Sequence, residues 1–521
     1  MRRFVSVGLG VVAVLGTAVM PSFARSDPPD PLAEFYTQQL SWAPCDQGME
    51  CATVVAPLDY ANPAANRISL VVSRTKASDA ERRRGVLFSN PGGPGGSGIS
   101  MPAFLAKTEL GKTYDLIGFD PRGVGGSTAL NCTVVPALAT ADSRPPDAEF
   151  AKWSAEARVA EDSCERSGGG IRRFISTANT ARDLDVVRAA LAEKKINYLG
   201  YSYGTYLGAV YGSLFPAHLD RNVLDSSVHP EWVWRDQFKA QAVAYRRNVD
   251  GWAAWAAERD GTFHLGATAA DVLATVEKTA AALAVKPVGA HTRTVFDAAV
   301  GVGARYRPLW SDLSKIIGKL AATAPPEALD AEVPDAELSE AAEAGQLLAR
   351  SARADLQSGV FDTVTCESDW PSDLETYYED MRVFRDRYPY GFGIVRAAPT
   401  TCTFRTFTPP EPPVRLVREG YPVGVVVQAE GDTQTQYESG PAMAARLGDN
   451  LITVVDDGNH GLYGTGNACV DKAVNRYLIE GLLPPSSSTC PGEARPDVAV
   501  VTPALPASVQ SYLDGRGLPG S

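Results

Sequence analysis

Hydrophobic positions in this chain cluster into short β-like runs separated by polar turns: Ala52 to Val55, Ile68 to Val72, Val86 to Ser89, Leu116 to Phe119, Ile196 to Leu199, Asn222 to Leu224, Val423 to Val427 and Leu451 to Val455, several of them continuous. Runs without polar alternation are the pattern of strands covered on both faces. Helical periodicity lies between some of them. It is clearest from Thr180 to Ala192, where Leu184, Val187, Ala190 and Leu191 share a face and Thr180 with Asp183 resembles an N-terminal cap. Strand alternating with helix predicts an α/β fold, a mostly parallel sheet covered by helices on both faces.

That alternation stops between residues 228 and 365, where alanine-rich helical sequence runs from Pro230 to Ala280 and again from Glu327 to Gln357. A helical cap is therefore expected after the strand ending near Asp225, with the sheet resuming at Tyr421. The expected division is a core in two parts, 41–227 and 366–521, around a cap at 228–365, with loop-like sequence from about Pro491.

The first residues change the cellular picture. Arg2 and Arg3 precede an apolar run from Phe4 to Met20 and then Ser22-Phe23-Ala24, which predicts a secretory signal peptide over 1–24; a retained N-terminal anchor is the alternative. Residues 25–40, rich in proline, read as a tether or propeptide. Lys and Arg number 49 against 61 Asp and Glu, a net charge of −12, which argues against nucleic acid or anionic membrane surfaces as partners. A secreted protein, free of the membrane after signal removal and monomeric, is expected. Export permits disulfides among the eight cysteines. Of the roughly one hundred ways to pair them, sequence neighbours give Cys45–Cys51, Cys132–Cys164, Cys366–Cys402 and Cys469–Cys490. None forms C-x-x-C, so zinc and thioredoxin-type sites are not expected.

Candidate chemistry centres on Gly200-Tyr201-Ser202-Tyr203-Gly204, between a β-run and a small-residue helix. A strand-turn-helix elbow thrusts the serine Oγ over the sheet edge and needs small neighbours, so Ser202 is the expected nucleophile. Gly204, Gly208 and Gly212 recur on one helix face and would let that helix lie close to the sheet. A serine hydroxyl needs a histidine base oriented by a carboxylate. Of five histidines, His460 follows the run ending at Val455, the end of a strand where reactive loops sit. Asp432 follows the run ending at Val427 and is the expected acid, with Glu430 its rival; Asp456 and Asp457 read as turn residues.

The order Ser202, Asp432, His460 is that of the α/β-hydrolase arrangement, and the 230 residues from Ser202 to Asp432 again ask for an inserted cap. Asn90 to Ser97 and Gly98 place five glycines in nine positions after a strand, so the Gly93 amide, with that of Tyr203, is the expected oxyanion hole. The same loop formally matches a dinucleotide fingerprint with Asp120 as the ribose acid, but Pro94 removes an amide from the cradle and Pro102 interrupts the following helix. No metal or organic cofactor is expected.

Asn90 to Gly98, Phe119 to Ser127, Asn197 to Pro216, and Gly458-Asn459-His460-Gly461 through Cys469 to Cys490 together resemble the secreted tripeptidyl aminopeptidase branch of the α/β-hydrolase serine peptidases, related to the proline iminopeptidases. The resemblance spans nearly all of the chain after the signal except the cap and the tail. It implies an exopeptidase that releases short peptides from substrates with a free N-terminus. Two departures stand out. The family's Asp-Pro-x-Thr-Pro at the acid reads Asp432-Thr433-Gln434-Thr435-Gln436, and its Cys-x-Asp after the cap reads Cys366-Glu367-Ser368-Asp369. Glu367 and Asp369 are the candidates for receiving a substrate amine. A carboxylesterase using the same triad, or a noncatalytic secreted binding protein of this fold, are the alternatives.

Overall fold

The computed structural model describes residue 1 and residues 31–130, 132, 142–289, 291–323 and 359–498. The expected signal peptide, the first part of the tether, the helical sequence from Glu327 to Gln357 and the tail beyond 498 lie outside the described residues.

A ten-stranded sheet organises the chain, in the order β1-β2-β3-β5-β4-β6-β7-β8-β9-β10. Its strands are β1 (Ala43–Pro44), β2 (Glu50–Pro57), β3 (Arg67–Thr75), β4 (Val86–Asn90), β5 (Asp115–Phe119), β6 (Ile196–Tyr201), β7 (Leu219–Asp225), β8 (Val425–Ala429), β9 (Asn450–Val455) and β10 (Ser487–Pro491). From β5 through β10 neighbouring strands are parallel, whereas β1, β2 and β3 add an antiparallel edge. Every residue of β4, β6 and β8 is buried. Side-chain alternation then sends Ile196 and Tyr198 of β6 into one core and Leu199 and Tyr201 into the other.

The first of those cores is closed by α2 (Thr177–Ala190) and α3 (Tyr203–Leu214), which follow α1 (Phe150–Gly168). The N-cap of α2 is Ser176, whose side chain accepts the Asn179 amide, and not Thr180. Thr180 and Asp183 instead lie inside the helix and face inward. There Asp183 meets the buried Arg122, at 2.7 Å from Nε and 2.6 Å from Nη2, while Arg122 Nη1 also donates to the Leu58 and Phe174 carbonyls. A polar pair three residues apart mimicked a cap because both positions favour short polar side chains.

Between β7 and β8 the described residues include the helices α4 (Arg235–Ala257), α5 (Ala269–Val285), α6 (Arg293–Arg305), α7 (Trp310–Thr323) and α8 (Leu374–Arg387). The first four share a core of their own, with Trp252, Val276, Phe296, Trp310 and Ile317. Helices continue past residue 365, and β8 begins at Val425; Tyr421 packs beneath α3. The last core segment adds α9 (Ser439–Leu447) and α10 (Ala468–Asn475).

Four disulfides join Cys45 to Cys51, Cys132 to Cys164, Cys366 to Cys402 and Cys469 to Cys490. The last ties α10 to the edge strand β10, a polar Ser-Ser-Thr-Cys-Pro segment with no apolar run of its own. Among the described residues no helix is long and apolar enough to cross a membrane.

Close approach of α3 to the sheet depends on missing side chains. A Cβ at Gly208 would lie 2.4 Å from Cε1 of Tyr198, a ring that is fully buried and fixed by its hydroxyl bond to the Gly204 carbonyl. Gly208→Ala is expected to lower stability by about 1–3 kcal/mol through overpacking. A fall in the melting temperature measured by calorimetry checks this, and an unchanged value contradicts it.

Candidate active site

At the end of β6 the chain turns through Ser202 with φ 56° and ψ −126° and enters α3 at Tyr203. A positive φ is unfavourable for a residue with a side chain and survives only where neighbours fix it. Here the Ser202 amide donates to the Asp225 carbonyl at the end of β7 at 3.0 Å, and the Ser202 carbonyl accepts from the Thr205 amide at 2.9 Å and the Thr205 hydroxyl at 2.6 Å. Gly204 is required for space, since a Cβ there would lie 2.6 Å from the Asn90 carbonyl oxygen.

Asn90 ends β4, and the glycine-rich loop after it closes over the elbow. Gly92, at φ 105°, approaches nearest: a Cβ on it would lie 2.8 Å from the Ser202 Cβ and 3.1 Å from the Tyr203 nitrogen. The Gly92 amide donates to Asn90 Oδ1 at 3.0 Å and its carbonyl accepts from Gly96. Gly93 is the next residue of the turn, and Tyr203, as the first residue of α3, has an N–H with no partner inside the helix. Glycine content points to this loop, but nothing in the sequence distinguishes Gly92, whose contact with Ser202 arises only from the fold. Asp120 is engaged within the loop, accepting from the Ser97 hydroxyl at 2.5 Å and the Gly126 amide at 2.8 Å.

Asp432 lies three residues beyond β8 and is completely buried. Its Oδ1 accepts the amides of Gln434 at 2.8 Å and Thr435 at 3.3 Å, and its Oδ2 accepts the Thr435 hydroxyl at 2.7 Å and meets His460 Nδ1 at 2.8 Å. Burial pushes this carboxyl up, but the charge and hydrogen bond of His460, with Arg305 and Thr435, outweigh it and hold it below the usual carboxylate range. With Nδ1–H directed to a carboxylate, the lone pair of the neutral ring resides on Nε2, the tautomer a general base needs. Among the described residues no hydrogen bond joins Ser202 Oγ to His460; such contacts commonly tighten only when substrate is bound.

The His460 loop is held from below and above. From below, Gly461 N–H donates to Ser226 Oγ at 2.8 Å, and the Leu462 and Tyr463 amides reach the Asp225 carboxylate at 3.0 and 2.7 Å. Burial raises Asp225 to about 6 against the opposing pull of those amides. From above, Arg305 Nε donates to the Gly458 carbonyl at 2.5 Å and Arg307 Nε to Asp456 at 3.0 Å. Asp457 accepts the Asn459 amide within its own turn and, with its other oxygen, the distant Glu493 amide. Glu430 is exposed and accepts the Asp456 amide at 2.8 Å, turned to that backbone and not to the imidazole.

Glu367 is buried, with Oε2 accepting the Thr177 amide at 2.9 Å and Oε1 the Thr177 hydroxyl at 2.7 Å. Both bonds are to the first residue of α2. Asp369 is exposed. The structure thus places Asp432 with His460 and holds Ser202 in the adjoining turn, while Glu367 and Asp369 lie in different surroundings.

A family model described as an alpha/beta hydrolase fold matches residues 85–315, and one described as a TAP-like protein matches 388–490. A tripeptidyl aminopeptidase of Streptomyces lividans is 36% identical over 468 residues, 86% of this chain and 84% of that protein. This chain belongs to that family of α/β hydrolases. Carboxylesterase B of Mycobacterium tuberculosis is 31% identical over 499 residues, covering 88% of this chain and 91% of its own. Serine protease Hip1 of the same organism is 28% identical over 494 residues, covering 87% and 91%.

Burial raises the Glu367 carboxyl to about 7, against the opposing bonds from Thr177. Between its ordinary value and about 7 the folded form therefore holds more protons than the unfolded chain, and this group's contribution to stability is lost as pH rises through that window. In melting curves taken from about pH 4.5 to pH 7, Glu367→Gln is expected to flatten part of the wild-type decline. Superimposable pH profiles would contradict the assignment.

Proposed function

We propose that this chain is an exported serine exopeptidase that removes short peptides, tripeptides foremost, from substrates with a free N-terminus. Ser202 Oγ attacks the scissile carbonyl while its proton passes to His460 Nε2. The Gly93 and Tyr203 amides receive the oxyanion. As the tetrahedral adduct collapses, the C–N bond breaks, the imidazolium gives its proton to the leaving amine, and an acyl-enzyme remains. Water then adds under the same base and releases the peptide acid. Asp432 holds the imidazole in one tautomer and stabilises its charged form. No metal or cofactor enters this sequence.

The observation that carries the reading is the 2.8 Å bond between a buried Asp432 and His460 Nδ1, on loops fastened beside a strained Ser202. The aminopeptidase relative at 36% identity supports a peptide substrate with a free N-terminus. Export is supported by four disulfides, which persist in oxidising compartments. A helical cap over 228–365, as the sequence suggests, would restrict the cleft to chain ends.

Carboxylesterase is the second reading, favoured by the relative of that name at 31% identity. Hydrolysis of a tripeptide chromogenic amide with a free amine, its N-acetylated form and a short acyl ester separates them. The free amide is expected to be the best substrate; equal rates on the free and blocked amides end the aminopeptidase assignment, and preference for the ester supports the second reading. Ser202→Ala is expected to lower kcat by about 10⁴-fold or more with the melting temperature nearly unchanged. Retained activity in that variant would remove Ser202 from the mechanism.

A further inference from the structure

Helix α4 of the cap carries polar residues where a core-facing helix would carry apolar ones. Gln237, Gln241, Tyr245 and Asn248 follow each other at steps of four, four and three, so they line one face. The two glutamines and the asparagine are buried. That face lies along the loop bearing Asp432. Gln241 Nε2 donates to the Gln434 carbonyl at 2.7 Å, and Gln237 Nε2 donates to the same oxygen at 3.1 Å and to Gln436 Oε1 at 2.9 Å. On the other side of the acid, Asn248 Nδ2 donates to the Gly431 carbonyl at 3.0 Å, and its Oδ1 is fixed by Arg307 at 2.6 Å.

These contacts form a continuous chain to the imidazole. Gln434 is gripped at its carbonyl by α4, and its own amide donates to Asp432 Oδ1 at 2.8 Å. Asp432 Oδ2 in turn meets His460 Nδ1 at 2.8 Å. The loop from Asp432 to Gln436 contains no proline to stiffen it.

We propose that Gln237, Gln241 and Asn248 are positioning residues, a splint from the cap that sets the Asp432 carboxylate relative to His460. This inference rests on the triad reading above. In its terms, the cap contributes to the chemical step and not only to access.

The test is a double-mutant cycle with the free tripeptide amide as substrate. Gln241→Leu is measured in the wild-type enzyme and in Asp432→Asn, with kcat, KM and melting temperature for each. The splint predicts a fall in kcat of about ten- to a hundredfold in the wild-type background. KM should stay within about twofold, and the loss in the Asp432→Asn background should be less than about twofold, because the carboxylate it aligns is gone. Equal losses in both backgrounds, or an unchanged kcat in the wild type, overturn the proposal. Should Asp432→Asn alone leave kcat intact, the triad itself falls and takes this proposal with it, a result distinct from equal losses. If Gln241→Leu does not fold, Gln241→Met, which keeps the length of the side chain and removes the amide donor, is read by the same criteria.

Discussion

The backbone carbonyl of Asp225 accepts the amide of Ser202, while the carboxylate of the same residue accepts the amides of Leu462 and Tyr463. One residue at the end of β7 thus fixes both the strained elbow and the strand of loop that follows His460. Its side chain is buried and drawn up to about 6, so it holds its position through directional bonds to backbone N–H groups and not by solvation. Register does the rest. Because β6, β7, β8 and β9 are parallel neighbours, their C-terminal ends open on one rim, and residues far apart in sequence are delivered to the same edge.

Much of the frame was legible because its signals are strong where burial is complete. Apolar runs mark β2 through β9, wholly buried in β4, β6 and β8 and partly exposed in β2, β3 and β9, and turn glycines mark the elbow. Weakly signalled elements escaped. β1 is two residues long, and β10 is a polar edge segment held by the Cys469–Cys490 bridge, so neither has a hydrophobic pattern to read. The start of α2 is obscured because Asp183 is polar for a tertiary reason, the buried Arg122, while the Thr180 hydroxyl donates to the Ser176 carbonyl one turn earlier.

The candidate site divides in the same way. Ser202, Asp432 and His460 stand out by type and by position after β-runs. Asp225 did not: as the last residue of a strand it carried no motif, and its role arises from two long-range contacts. Glu367 was legible as an acid just after the alanine-rich helical sequence between β7 and β8, but its burial against Thr177 was not. Gln237, Gln241 and Asn248 resemble a solvated helix face in sequence, since polar periodicity alone does not distinguish water from a carbonyl-bearing loop.

Helices α4 to α7 pack on one another through tryptophan and aliphatic side chains, yet the contacts made by α4, Arg305 and Arg307 with the loops at 431–436 and 456–458 are hydrogen bonds to carbonyls and a carboxylate. A covering built this way resists exchange. Grafting a foreign insertion between β7 and β8, however well it folded, would strand those acceptors unless it reproduced each donor at its place. Diversification of such enzymes by swapping whole covers is thereby constrained to donors that arrive with matching chemistry on their inner surface.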